Sequence, residues 1–147
     1  MVYALRPEHP LAAGITALFE LERQQADAVL QAVRRAATRL TPAPLAVWLY
    51  GSVARGEDQP TSDIDIALVS ALPDPGPQAE ILRKKIARAL PEREQRVSVI
   101  ALAPSDVRRM AREGADLWNA LVHDAAVLAG YDPVGLLEQV SGGAASA

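Results

Sequence analysis

Apolar positions along the chain change period several times, and each change marks an element. Leu18, Ala26, Val29, Leu30, Val33, Ala37 and Leu40 recur at spacings of three and four within Leu11–Leu40. That is the stripe of an amphipathic helix. Pro10 suits its start, and Pro42 with Pro44 its end. At 1.5 Å per residue such a helix reaches roughly 45 Å, or breaks once near Gly14. That is long for a domain of this size. Either it packs along its own sheet, or its free end meets a second subunit and makes a homodimer through the N-terminal helix.

The pattern then turns strand-like. Leu45–Tyr50, LAVWLY, is a short apolar run of strand length. Ser52–Gly56 suits a helical turn, Glu57–Ser62 a loop, and Asp63–Ser70 a second strand. Pro73–Pro77, PDPGP, breaks the chain. Gln78–Leu90 is amphipathic, with Leu82, Ile86, Ala89 and Leu90 on one face and Lys84 and Arg88 pointing away. Arg96–Leu102 is a third strand. Pro104-Ser105-Asp106 opens a helical run that reaches His123 and breaks near Gly114. Ala125–Leu128 is a short fourth strand, and Ser141–Ala147 has nothing to bury and reads as a frayed tail. The order predicts the α/β (α+β) class: a small mixed β-sheet flanked by helices. It reads as one domain, with a long N-terminal helix over 1–44, a core over 45–130 and a C-terminal tail over 131–147.

One stretch departs from simple packing. In LYGSVARGEDQPTSDIDIALV, Leu49–Val69, two carboxylates stand one residue apart in a strand. Strand alternation puts Asp63, Asp65, Ala67 and Val69 on one face, and Ile64, Ile66 and Leu68 on the other, the packed side. Two residues along a strand span roughly 7 Å, so both carboxylates can bend toward one point. Leaving them unpaired is costly through desolvation and mutual repulsion. A divalent cation offsets that cost; Mg²⁺ takes one or two protein carboxylates and completes its shell with water and phosphate oxygens. Gly51 allows a sharp turn and close approach to a ligand. If Ser52 opens a helical turn, its N–H groups and hydroxyl suit a phosphate, with Arg55 one turn on. Taken singly, Gly-Ser is most often a turn and Asp-x-Asp a turn or cap. Together, one ending a strand and one opening the next, they suit phosphoryl or nucleotidyl transfer.

Composition and charge narrow the classes. The chain has 147 residues, 50% hydrophobic and 22% charged, which suits one globular domain. The net charge of −3 gives no basic surplus for a sequence-independent grip on nucleic acid, so nucleic acid is not the expected partner. A local exception is Glu80–Arg96, with six basic and three acidic residues. Lys84, Lys85 and Arg88 read as a solvated helix face, or as a grip on an acceptor or partner protein. The absence of cysteine excludes disulfides, zinc-thiolate sites and cysteine nucleophiles. No apolar run approaches the ~18 residues of a membrane span. Arg6, Glu8 and His9 come too early for a signal-peptide layout, so a cytoplasmic location is expected. His9 and His123 read as surface residues, Trp48 and Trp118 as core or interface, and Asp116 and Asp124 carry no spacing that suggests a site.

GSVARGEDQPTSDIDIALV resembles the signature of the DNA polymerase β-like nucleotidyltransferase superfamily, and most of all the minimal nucleotidyltransferases. In that family Gly-Ser is followed by ten residues and then Asp-x-Asp. Here Gly51-Ser52, the ten residues Val53–Ser62, and Asp63-Ile64-Asp65 match that spacing. The ARGE of Ala54–Glu57 and the SD of Ser62-Asp63 resemble family members too. The resemblance spans Leu45–Gly130 and implies a polymerase β-like palm fold. It implies a nucleoside triphosphate donor and Mg²⁺ (or Mn²⁺), with Ser52 contacting phosphates and Asp63 and Asp65 as metal ligands. It also implies antitoxin-like modification of a partner protein, for example at a tyrosine hydroxyl.

The third strand departs from the family pattern. A third carboxylate is usual there, facing the first two. In RVSVIAL, Arg96–Leu102, alternation puts Arg96, Ser98, Ile100 and Leu102 on one face, and Ser98 stands at the acid's position. A serine hydroxyl is a weak metal ligand and no general base at neutral pH. Glu94 would lie over ~10 Å back along the same face. Two classes therefore stay open: a metal-dependent nucleotidyltransferase, or a catalytically impaired nucleotide- or partner-binding module. YALRPEHPL, Tyr3–Leu11, resembles a segment that joins a winged helix to the nucleotidyltransferase domain in larger proteins, so the chain reads as a stand-alone relative or as part of a longer one.

Overall fold

The computed structural model describes residues 10–57 and 62–143, without the side chains of 93–95. His9, Tyr3–Glu8 and most of the expected loop before Ser62 lie outside that set. Helix α1 covers Ala12–Thr38, strand β1 Ala46–Tyr50, helix α2 Gly51–Ala54, and strand β2 Ile64–Val69. Helix α3 covers Gly76–Ala89, and a 3-10 segment at Pro91–Arg96 leads into strand β3, Val97–Leu102. Helices α4, Pro104–Glu113, and α5, Asp116–Asp124, precede strand β4, Ala126–Gly130, and helix α6, Pro133–Gly142.

The four strands form one mixed sheet in the order β3-β2-β1-β4. β1 runs antiparallel to both β2 and β4, and β2 runs parallel to β3. The parallel pair needs a crossover, and α3 supplies it. Apolar residues sit on both faces of the central strands. Val47, Leu49, Ile64, Ile66 and Leu68 pack under α1 and α3. Ala46, Trp48, Ala67 and Val69 pack under α4, α5 and α6. Periodicity alone assigns the packed side to Ile64, Ile66 and Leu68. The opposite face is also core from Ala67 onward, and only its Asp65 end is open.

Helix boundaries follow local chemistry. Pro77 in the first turn of α3 costs no intrahelical bond there. The Gln78 amide donates to the Pro42 carbonyl at 2.6 Å and ties α3 to the loop before β1. Asp106 accepts from the Ala103 N–H at 2.9 Å at the start of α4. Gly114, at φ 63°, ends α4 and separates it from α5. At Gly130, also at positive φ, a Cβ would run into the Leu45 carbonyl, so the end of β4 can close on the start of β1 only with glycine.

The C-terminal reading needs correction. Residues 131–147 were expected as a tail, yet Pro133–Gly142 form α6. Asp132 caps it, accepting from the Gly135 N–H at 2.9 Å. Leu136 is fully buried in the second core cluster. The Arg108 guanidinium donates to the Val140 carbonyl at 3.0 Å and holds the helix on α4. No helix among the described residues is long and apolar enough to cross a membrane.

Candidate active site

The site begins where β1 ends. Tyr50 is extended, and at Gly51 the chain turns straight into α2. Gly51 adopts φ 78°, a conformation that costs other residues strain. A Cβ on Gly51 would lie 2.8 Å from Oδ2 of Asp65. The glycine therefore leaves room for the Asp65 carboxylate against the backbone at the start of α2. No side chain caps that helix end. Its leading N–H groups have no intrahelical acceptor by construction, and Ser52 stands half-buried among them.

Sheet pairing brings the other residues in. Asp65 is in register with Tyr50 on β1 and with Ser98 on β3. Asp65 is half-buried, whereas Asp63, one step before β2, is exposed. Asp63 meets the Arg96 guanidinium at 3.9 Å. Ser98 is exposed and stands beside Asp65 on the same face, where alternation had placed it. Among the described residues no group of three or more His, Cys, Asp or Glu side chains could hold a metal ion. Glu94 lies outside the described side chains, and Glu92 is exposed.

The electrostatics set Asp65 apart from Asp63, which has Arg96 beside it. Burial, and secondarily the charge of Asp63, hold the Asp65 carboxyl above its ordinary range. Burial, with the charge of Asp65 adding to it, pushes the Tyr50 phenol up as well. A divalent cation fits this donor set: two carboxylates of like charge, one seated in a glycine cradle and both open toward solvent. At neutral pH the raised value means that ionised Asp65 works against folding. That cost is absent below the unfolded-state carboxylate value of ~3.9 and is fully present above the raised one. Asp65→Asn is therefore expected to raise the melting temperature at pH 7 without divalent metal. The gain should shrink to nothing as the pH falls through the carboxylate range, as thermal melts followed by circular dichroism would record.

Arg55, expected to reach a phosphate, is engaged by Glu57 at 3.2 Å and by Asp124 at 4.0 Å. Asp124 carried no sequence signal, because the α5 end reaches α2 only through the fold. Tyr50 and Arg96 were also missed as neighbours of the acids. The register of β1 with β2, and of β2 with β3, is what would have found them. Trp48 and Trp118 are both buried, and His123 is exposed.

The family model for Polymerase beta, Nucleotidyltransferase matches residues 35–118. No curated protein matches the chain. Among solved structures, a toxin-antitoxin with AMP-PNP aligns at 22% identity over 79% of this chain and 87% of that one, with a TM-score of 0.52. A tri-AMPylated Shewanella oneidensis HEPN toxin in complex with MNT antitoxin aligns at 18% identity over 82% of this chain and 87% of that one, with a TM-score of 0.49.

Proposed function

The chain belongs to the polymerase β nucleotidyltransferase family, and from that premise we propose that it transfers a nucleoside monophosphate from a nucleoside triphosphate to an acceptor hydroxyl on a partner protein. The observation that carries the reading is the seating of Asp65 against Gly51, which puts one carboxylate, with Asp63 two residues before it, beside an uncapped helix start. Asp63 and Asp65 would hold Mg²⁺ or Mn²⁺. A bound divalent ion would neutralise the triphosphate and favour departure of pyrophosphate.

The remaining roles fall to the chain's own groups. The N–H groups at the start of α2 and the Ser52 hydroxyl hold phosphate oxygens. Gly51 lets them approach without a Cβ in the way. Arg55, paired with Glu57 and Asp124 in the free chain, would turn from them toward a phosphate oxygen. In the transfer the acceptor oxygen bonds to the α-phosphorus, the bond to the bridging oxygen breaks, pyrophosphate leaves, and the acceptor proton passes to solvent. The neighbour with AMP-PNP makes ATP and a partner protein the first donor and acceptor to test. A cytoplasmic location, where nucleoside triphosphates are available, fits this reading.

A second reading, a nucleotide-binding module without turnover, is favoured by Ser98. Its hydroxyl stands in register with Asp65 where a third acid would help hold the ion beside the acceptor. Incubation with labelled ATP, Mg²⁺ and co-expressed partner proteins separates the two. Label transferred to a protein by the wild type supports the enzyme. ATP binding without transfer, with transfer appearing in Ser98→Asp, supports the module. Absence of ATP binding removes both.

A further inference from the structure

Helix α1 is 27 residues long, about 40 Å; its segment from Val29 to Ala37 is built into the domain, while residues 13–25 are exposed. From Val29 onward its stripe of Val29, Val33, Ala36 and Ala37 is buried against the sheet. The same three-and-four spacing continues toward the N-terminus through Ala26, Glu22, Leu18 and Ile15. There it emerges from the domain. Leu18, Phe19 and Leu21 are 55%, 66% and 52% exposed. Apolar side chains of this size at neighbouring turns of one helix mark a surface that binds something.

The charges on the same molecule indicate what binds. From Ala12 to Asp27 α1 carries Glu20, Glu22 and Asp27 against the single cation Arg23, which is itself bound to Glu20 at 2.7 Å. From Val29 to Arg39 the chain has Arg34, Arg35 and Arg39 and no acid. Beside this second half lies a groove between α1 and α3 of about 390 Å³. Its floor is Ala32, Ala36 and Ala89, and its walls are Arg35, Arg39, Lys85 and Arg88. Among the described residues no carboxylate pairs with any of these four cations, and Arg35 donates only to Gln31, at 3.3 Å. One region of the chain is thus an apolar helix with acidic flanks. Another is a shallow, alanine-floored groove with basic walls.

We propose that two copies of the chain pair reciprocally, the N-terminal half of α1 from each lying in the α1–α3 groove of the other. A two-fold pair requires a surface that is complementary to itself, and the acidic and basic halves of one helix supply that when two copies run antiparallel. Leu18 and Phe19 bring the burial that drives association, and the charges fix the direction. The groove lies on the face of the sheet opposite Asp63 and Asp65, because Asp65 shares its face with Ala67 and Val69 under α4–α6. Both candidate active sites stay open in the pair. The pairing does not rest on the proposed transfer reaction.

Charge reversal tests this without touching the core. Glu20→Arg with Glu22→Arg makes both surfaces of one chain basic. Reversing all four groove walls, Arg35→Glu, Arg39→Glu, Lys85→Glu and Arg88→Glu, makes both surfaces of a second chain acidic. By sedimentation velocity in the micromolar range, wild type is expected to be a dimer, each reversed chain alone a monomer, and an equimolar mixture of the two a dimer again. Phe19→Glu should weaken the wild-type dimer at least about tenfold, a loss near 1.4 kcal/mol. Unchanged helical circular dichroism would show that each variant is folded. A monomeric wild type, reversed chains that dimerise as well as wild type, or a mixture that stays monomeric would each overturn the proposal. So would a wild-type monomer that is captured by a different protein.

Discussion

Replacing Asp63 and Asp65 together by asparagine is expected to lower nucleotidyl transfer by at least about 10³-fold, the scale seen when a preorganised electrostatic partner of the transition state is lost. The substitution is nearly isosteric. It removes two negative charges and leaves the sheet register intact, because both residues lie at the open end of β2 and neither belongs to the core. The variant should fold, and it should melt no lower than wild type without metal, since burial and mutual repulsion already oppose ionised Asp65. Loss of activity in a protein that is equally or more stable separates a functional role from a structural one. Transfer of labelled nucleotide, measured beside a thermal melt, gives both readings from one preparation.

Trp48→Ala is expected to cost about 3–5 kcal/mol of folding stability, a large part of the ~5–15 kcal/mol that a domain has. Trp48 is fully buried on β1 between β2 and β4. Its indole N–H donates to the Tyr131 carbonyl at 2.7 Å, where β4 hands over to α6. Truncation opens a cavity in the cluster under α4–α6 and removes the donor to that carbonyl. At this chain length the melting temperature should fall on the order of 10 °C. The site would weaken with it, since β1 delivers Tyr50 and Gly51 to Asp65. Chemical denaturation read by circular dichroism measures the loss; a cost within ~0.5 kcal/mol, the range of ordinary surface changes, would contradict the packing described.

The parts of the molecule that were legible in its sequence share one property: they are decided locally. The stripe of α1, the strand alternation around Asp65, and the alternation that groups Ser98 with Arg96 and Ile100 all follow from a period of 3.6 or 2. The Gly51–Asp65 spacing was legible as a motif. What was not legible depends on which strands pair. The register that sets Tyr50 and Ser98 on either side of Asp65 exists only once β1, β2 and β3 are side by side. The Arg55–Asp124 contact joins residues far apart in the chain. α6 was missed for a different reason. Asp132-Pro133 is a sound helix start, but the short apolar set of Leu136, Leu137 and Val140 gains its meaning from the second core face, and that face was not foreseen as a core.

Titration calorimetry of ATP into the wild-type protein, with Mg²⁺ and again with a chelator, tests the central claim most directly. Saturable binding is predicted with Mg²⁺, greatly weakened by the chelator and by Asp63→Asn with Asp65→Asn. Equal affinity in the variant or in the absence of divalent metal, or no binding by the wild type, would contradict the assignment of Asp63 and Asp65 to a metal-triphosphate site.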